Sequence, residues 1–474
     1  MKHDRLHGPR DAESELSGTL QADLRPSGSR RAVPAAWKYN RTVTTPTLFR
    51  PMNEPTPASA LSCADDYDPN SMPVDKAREV IARFLSPVAA TERVHVRASL
   101  GRVLAHDVIS PLDVPAHDNS AMDGYAVRYE DLKKDGEAAL AVVGSAFAGT
   151  PYGGTLQPGQ AIRIMTGGVV PNGADTIVMQ EHVKADGKSV TIGGGHRKGQ
   201  NLRLAGEDLQ RGAAALKQGR RLRAADVGLI ASLGIPEIAV YRKLRVAFFS
   251  TGDELVSIGT VPQEGQIYDS NRYTIYAMLE RLGCEVIDMG VVRDDPQLLE
   301  QAFDQAAHTA DVVITSGGVS VGEADFVKDL LNQMGEVVFW KIAMKPGRPL
   351  AYGRIGQAHF FGLPGNPVSV MVTFYQFVRD ALMTLSGEAP VEPAATFKVP
   401  CTSQLKKAPG RTEFQRGILT RGTDGQWSVR VTGEQGSGIL RSMSEANCFI
   451  ILPTDQGNVN PGALVDVQVM EGVV

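Results

Sequence analysis

Four cysteines in 474 residues, Cys63, Cys284, Cys401 and Cys448, lie far apart and form no Cys-x-x-Cys pair. That spacing argues against a zinc ribbon or a disulfide scaffold and makes a reducing cytoplasm the expected location. The nine histidines are equally scattered, so any metal is expected to be a hard ion on oxygen ligands rather than zinc or copper. Charge of one sign is also missing. The net charge is -4 with acids and bases mixed along the chain, which leaves no global field for nucleic acid or an anionic membrane. Any bound anion has to be met locally. No run of about 18 apolar residues occurs, so no helix is expected to span a bilayer. The chain contains no Gly-x-x-x-x-Gly-Lys-Ser/Thr, and no Gly-x-Gly-x-x-Gly follows the first strand of its α/β segment. These absences argue against a P-loop enzyme and a nicotinamide site.

What is present is ample for packed cores: 42% of residues are hydrophobic, and the length suits about three domains. Residues 1–71 are rich in Arg, Ser, Pro and Thr without apolar periodicity, and read as a disordered extension. They lack the apolar core of a secretory signal, and Asp4, Asp11, Glu13 and Glu15 count against a transit peptide. Met52 is a plausible alternative start. From Pro73, Val74, Ala77, Val80, Ile81, Phe84 and Leu85 recur at helical spacing, with Asp75 in the first turn. Short strands at 92–97 and 107–109, a helix at 224–233 and a strand at 237–241 complete a linker module over 72–113 and 210–242. Between them, residues 114–209 carry short apolar runs at 139–143, 161–165, 176–179 and 189–192 punctuated by glycine and proline, which predicts a small β domain. Its turns contain Thr166 and Asp208. It opens with Asp118-Asn-Ser-Ala-Met-Asp-Gly-Tyr-Ala126, whose small and acidic residues suit either a ligand-facing loop or a solvated turn rather than a core element.

At 243–388 the pattern becomes βαβ. Apolar runs at 244–249, 285–292, 312–315 and 337–342 alternate with helical patterns at 273–282, 298–308 and 326–333, and a long apolar helix at 368–385 closes the segment. This predicts a doubly wound, mostly parallel sheet with right-handed crossovers, whose ligands sit beyond the carboxyl ends of the strands. Asp295 reads as a helix cap before Pro296. Five polar or glycine-bearing loops fall at the ligand edge, those of Asp253, Asp294, Gly317, Lys345 and Gly365. The central one follows a β-branched run and holds Gly317, Gly318 and Gly322, then Glu323 and Asp325 at a helix start. Bare backbone N–H groups there can approach a phosphate, and the acids can hold its divalent cation. Asp253, Asp294, Asp295 and Asp325 are hard-metal ligands; Lys341, Lys345 and Arg348 are anion partners. Residues 389–474 return to β, with strands at 396–399, 413–419, 427–432 and 464–469, a barrel-like module.

Five stretches in this order carry a resemblance. They are Asp118 to Ala126, Ser250-Thr-Gly-Asp-Glu254, Thr315-Ser-Gly-Gly-Val-Ser-Val-Gly-Glu-Ala-Asp325, Lys345-Pro-Gly-Arg-Pro349 and Gly362-Leu-Pro-Gly-Asn-Pro-Val-Ser369. From about Pro73 to the C-terminus the chain resembles the molybdopterin molybdenumtransferases, the molybdenum insertases related to the C-terminal part of gephyrin. One departure is Arg348, where lysine is also familiar; the charge is kept and the geometry is not.

The resemblance implies a Mg²⁺-dependent reaction in which adenylylated molybdopterin and molybdate give molybdenum cofactor and AMP, in a cytoplasmic homodimer of four-domain protomers. Contacts with the adenylyltransferase and with recipient molybdoenzymes are implied as well. It implies pterin phosphate and adenylate against Ser250, Thr251, Gly252, Ser316, Gly317, Gly318, Ser320 and Gly322, with Pro364, Gly365 and Asn366 beside them. Metal falls to Asp253, Glu254, Asp294 or Asp325. Molybdate falls near Lys345, Arg348, Ser369, Arg411 and Ser437, as suits a tetrahedral dianion. Asp118, Asp123, Thr166, Asp208, Asp294 and Asp325 are the implied catalytic set. A gephyrin-like scaffold would need partner-binding extensions, and a pterin adenylyltransferase uses a similar parallel domain. The first extra segment available is the polar 1–71 stretch, which has no βαβ text for a second such domain.

Overall fold

The computed structural model describes residues 72–318 and 325–470, without the side chains of residues 325 and 326. The sequence reading of residues 1–71 lies outside the described residues. At the centre is a six-stranded sheet in the order Glu285–Val292, Arg245–Thr251, Val312–Ser316, Ala358–Leu363, Pro349–Ile355, Gly335–Lys341. The first four strands are mutually parallel, and Pro349–Ile355 runs antiparallel to both neighbours. The mostly parallel, doubly wound sheet read from the βαβ pattern is therefore present, with one reversed strand made by a tight Pro349–Ile355 to Ala358–Leu363 connection.

Strand alternation builds two cores. Val246 and Phe248 face a cluster with Ile275, Leu279, Val370 and Phe374, while Ala247 and Phe249 face one with Phe303 and Leu331. Phe303 is the hub of the second face, edge-on to Phe249 at 5.2 Å and to Phe360 at 5.7 Å. Fully burying a side chain of this size contributes about 2–3 kcal/mol. The helix Val74–Ala82 places Val74, Ala77, Val80 and Ile81 in the first cluster, and Met72 N donates to Lys341 O at 2.9 Å. Its apolar face thus belongs to the α/β core. The strands Thr91–His95 and Glu237–Tyr241, paired antiparallel, pack with the helix Ala224–Ser232 around Leu104, Ile230 and Val240.

Local rules hold where they act over a few residues. Asp295 caps the helix Pro296–Thr309, accepting from Gln297 N and Leu298 N at 3.0 Å each, with Pro296 in the first turn. The long closing helix is present and carries a π turn at Phe374–Val378 between Pro367–Thr373 and Arg379–Leu385. There Arg78 Nε donates to Gln376 O at 3.0 Å, tying the π turn to the helix Val74–Ala82.

The small β domain is a six-stranded sheet ordered Thr176–Met179, Gly124–Val127, Gln160–Ile164, Ala138–Ala146, Ser189–Ile192, Val183–Ala185. One expectation is corrected here. The second half of the acidic stretch is a buried strand, Gly124–Val127, with Tyr125, Ala126 and Val127 in the core. Glycine at 124 is required because a Cβ would collide with Val178 O. In the C-terminal module Thr412–Arg421, Cys448–Leu452, Leu464–Val469 and Thr396–Pro400 pair in that order. Trp427–Val431 pairs with Thr412–Arg421, and a Cys401–Val429 bridge returns the path to its start. That is the barrel-like fold expected; the strand Cys448–Leu452 had not been anticipated.

Candidate active site

A cavity of about 320 Å³ opens at the carboxyl edge of the central sheet, lined by Thr251, Gly252, Glu254, Asp269, Asn271, Asp294, Ser316, Gly317, Gly318 and Gly365. Four of the five ligand-edge loops thus meet around it. The fifth, that of Lys345, does not line it: residues Met344–Lys345 pair with Thr412–Glu413 of the barrel.

Glycine is dictated by close approach at two positions. Gly317 has φ 91°, and a Cβ there would stand 2.5 Å from Thr251 O; Gly318 has φ 68°, and its Cβ would stand 3.0 Å from Thr251 Oγ1. The loop is pinned from the helix Ser270–Arg281. Asn271 Nδ2 donates to Ser316 Oγ at 2.9 Å and to Gly365 O at 2.6 Å, so one amide ties two glycine loops together. Pro364 O accepts a long bond from Ser316 Oγ at 3.5 Å, and Asn366 O anchors the helix Pro367–Thr373.

Several buried polar atoms here have no partner among the described residues: Ser250 Oγ, Thr251 Oγ1, Asp269 Oδ2 and Asn271 Oδ1. Unmet donors and acceptors of this kind are costly in a core and belong where a ligand supplies the missing bonds. Asp269 and Asn271 were missed in the sequence. Asp269 caps its helix through Oδ1, accepting from Arg272 N at 3.1 Å, and that capping signal hid the second oxygen.

The acids at the rim act on one another. The Asp294 carboxyl is pushed above its ordinary value, first by partial burial and then by the charges of Asp253 and Glu254, although its side chain stays open to solvent. Among the described residues no group of three or more His, Cys, Asp or Glu stands close enough to hold a metal ion. Ser320, Gly322 and the Asp325 side chain lie outside the described residues; the Asp325 backbone starts the helix Asp325–Met334. Cys284 and Cys448 are not candidates for chemistry, since burial pushes their thiols up to about 12.

A second group forms at the joint of the α/β domain and the barrel. Lys345 Nζ lies 3.5 Å from Glu413 Oε1, whose carboxylate is buried and also accepts from Gln415 Nε2 at 3.0 Å. Arg411 and Arg348 are exposed nearby in sequence to these strands, Lys341 is half-buried, and Ser369 is buried on the helix Pro367–Thr373. Ser437 O accepts from Val368 N at 3.1 Å, which brings the Ser437 loop to that helix. Lys407, also buried, donates to Ala408 O and Gln456 O at 3.1 Å each and steadies the loop before Arg411.

A third group stays on the small β domain. Asp123 Oδ1 accepts from Thr166 N and Thr166 Oγ1 at 2.8 Å each, bonds that hold its carboxyl below the usual value. Asp118 Oδ1 accepts from Ala205 N at 2.8 Å, and Asp208 N donates to Val114 O at 3.1 Å. None of Asp118, Asp123, Thr166 and Asp208 lines the cavity of the α/β domain.

Fold and cavity together define an α/β protein with its ligand site at the carboxyl edge of a doubly wound sheet. Three family models match in order: the MoeA N-terminal region (domain I and II) over 72–234, a probable molybdopterin binding domain over 247–384, and the MoeA C-terminal region (domain IV) over 398–470. A molybdopterin molybdenumtransferase of Haemophilus influenzae is 46% identical over 397 residues, covering 83% of this chain and 98% of that protein. One of Nostoc sp. is 39% identical over 380 residues, covering 78% and 87%. The crystal structure of the molybdopterin biosynthesis moeA protein from Pyrococcus horikoshii OT3 superposes with TM-score 0.75 at 29% identity, covering 85% of this chain and all of that one. This chain belongs to the molybdopterin molybdenumtransferase family.

Proposed function

We propose that the chain inserts molybdenum from molybdate into adenylylated molybdopterin and releases AMP, as a cytoplasmic homodimer. What carries the reading is a cavity rich in unmet polar atoms, built from the glycine loops, in a chain of this family from residue 72 to 470. The Gly318 amide and the Thr251 hydroxyl suit a phosphate, Gly317 N being bonded to Leu363 O at 3.1 Å, and Ile267 and Tyr268 line the cavity where a ring system can pack. Lys345, Arg348, Arg411 and the Ser369 and Ser437 hydroxyls suit the tetrahedral dianion. Contacts with the adenylyltransferase and with recipient molybdoenzymes follow from handing a labile cofactor between proteins. Among the described residues no helix is long and apolar enough to cross a membrane.

The observation that bears on Mg²⁺ is that Glu254 and Asp294 share the cavity rim, the Asp294 carboxyl being raised first by partial burial and then by the Asp253 and Glu254 charges; among the described residues these acids do not close a metal site by themselves. Asp253, Glu254, Asp294 and Asp325 would hold it together, and its contribution would be to neutralise charge on the ligand's phosphates. The carboxylates orient that charge, the glycine loops hold the phosphates, and the dianion site presents molybdate to the dithiolene end of the pterin. Asp123 and Asp118 are proposed to reach this site from the partner protomer.

The deciding measurement is molybdate-dependent AMP release by the purified chain from adenylylated molybdopterin. AMP release without molybdate, or none at all, would sink the reading. A chain starting at Asn70 is expected to keep wild-type turnover and thermal midpoint, because the family match begins at residue 72; a loss of either shows that the polar stretch contributes.

The acids also set a pH dependence. Because Asp294 holds its proton more tightly in the fold than in the open chain, its ionisation costs stability. Its favourable contribution is complete below the ordinary carboxylate value and is lost as pH rises through the raised one. Titration with Mg²⁺ is therefore expected to release protons near that raised value and to bind less well at lower pH. Asp294→Asn is expected to abolish the proton release, and an unchanged proton yield in that variant would remove Asp294 from the cation site.

A further inference from the structure

Arg416 is the largest fully buried side chain among the described residues, 1% exposed on the strand Thr412–Arg421. Among them no carboxylate stands within ion-pair distance of it. Its partners are carbonyls: Nη1 donates to Gln435 O at 3.1 Å, and Nη2 donates to Gly436 O at 2.9 Å and Glu434 O at 3.4 Å. Nε donates to Ser442 Oγ at 3.0 Å. The Gln435 side chain closes the arrangement, its Oε1 accepting from Arg416 N at 2.8 Å. Burial without a counterion lowers the guanidinium to about 10. A buried, uncompensated cation is expensive, so its retention calls for a reason beyond packing.

Peptide geometry supplies one. In a trans peptide the carbonyl and the following N–H point in opposite directions. Three consecutive carbonyls drawn to one guanidinium therefore turn the N–H groups of Gln435, Gly436 and Ser437 to the other side of the loop. None of those three amides has an acceptor among the described residues. Successive outward N–H groups make a concave anion site, and a buried cation directly behind them adds to its field. The same loop is fixed at its far end, where Ser437 O meets Val368 N beside Ser369.

We propose that Arg416 is the positioning residue of an oxyanion nest formed by the backbone N–H groups of residues 435–437, and that this nest binds molybdate beside the Ser437 hydroxyl. The proposal rests on the assignment of Lys345, Arg411 and Ser437 to molybdate made above. It extends that assignment from side chains to backbone donors and names the group that organises them.

The test compares full-length Arg416→Lys and Arg416→Ala with Arg411→Ala. Lysine keeps a charge and cannot span three carbonyls. The expected result for Arg416→Lys is a KM for molybdate raised about tenfold, with kcat at saturating molybdate and KM for the adenylylated pterin unchanged. Calorimetric affinity for tungstate, measured without pterin, is expected to fall by the same factor, and added guanidinium is expected to restore part of the molybdate response in Arg416→Ala. Should the alanine variant fail to fold, the lysine variant and the tungstate titration still decide. Wild-type molybdate KM and tungstate affinity in a folded Arg416→Lys protein would overturn the proposal, as would equal losses for molybdate and pterin. If Arg411→Ala moves the molybdate KM and Arg416→Lys does not, the nest is wrong and the site assignment stands; if neither moves it, the site assignment itself fails.

Discussion

Mixed dimers carrying Asp123→Asn in one protomer and Asp294→Asn in the other are expected to recover about half of wild-type turnover, although each homodimeric variant is nearly inactive. Asp294 lines the cavity of the α/β domain, whereas Asp123 sits on the small β domain bonded to Thr166 and does not reach that cavity within its own chain. A carboxylate there can take part in chemistry only by arriving from another copy. If sites are shared, one site of the mixed dimer collects both defects and the other none. Two affinity tags allow the mixed species to be isolated and assayed for AMP release. Mixed dimers as inactive as their parents would exclude sharing, and full activity in the Asp123→Asn homodimer would leave Asp123 as the group that fixes the Thr166 turn and nothing more.

The second large effect is expected at the joint with the barrel. Lys345→Ala should raise the KM for molybdate about a hundredfold, against about tenfold for Arg411→Ala. The difference follows from Glu413. Its carboxylate is buried and faces Lys345 at 3.5 Å, with Gln415 as its other donor and the Lys407 charge acting on it from further off, so deleting the lysine removes a cation and also leaves a negative charge without its ion-pair partner before the incoming dianion. Arg411 is exposed, and among the described residues no carboxylate stands within ion-pair distance of it. Glu413→Gln added to Lys345→Ala should then recover part of the loss. Equal KM values for the two single variants, or no recovery in the double variant, would show that the pair does not shape the anion site. Pterin KM serves as the internal control, since Lys345 lies outside the cavity beyond the parallel strands.

The parallel sheet was legible because its evidence is local. A buried strand needs a short β-branched run, such as the one ending at Ser316, and each crossover helix repeats its apolar spacing within a dozen residues. The Asp295 and Pro296 cap was readable for the same reason: it depends on residues two and three positions away. The strand Cys448–Leu452 escaped because it follows the short helix Leu440–Glu445 without a glycine or proline to announce it. The stretch Gly124–Val127 escaped because a glycine beside acids reads as a turn, and the pressure for glycine there comes from a neighbouring strand 54 residues on, at Val178.

By itself the sequence determined the alternation of elements, the placing of glycine and acidic loops at the ligand edge of the sheet, and the family to which the chain belongs. Periodicity and motif order are properties of the chain as written, and propensity acts over a few residues. Which loops share a cavity was decided only in three dimensions. Asn271 ties Ser316, 45 residues away, to Gly365, 94 residues away, and nothing local in its sequence distinguishes it from an ordinary first-turn asparagine. The Lys345 loop left its four companions because its short strand found a partner in the barrel at Thr412–Glu413. Arg416 could not be singled out at all: an arginine among alternating strand residues looks solvated until the barrel closes and leaves three carbonyls as its means of holding a charge away from water.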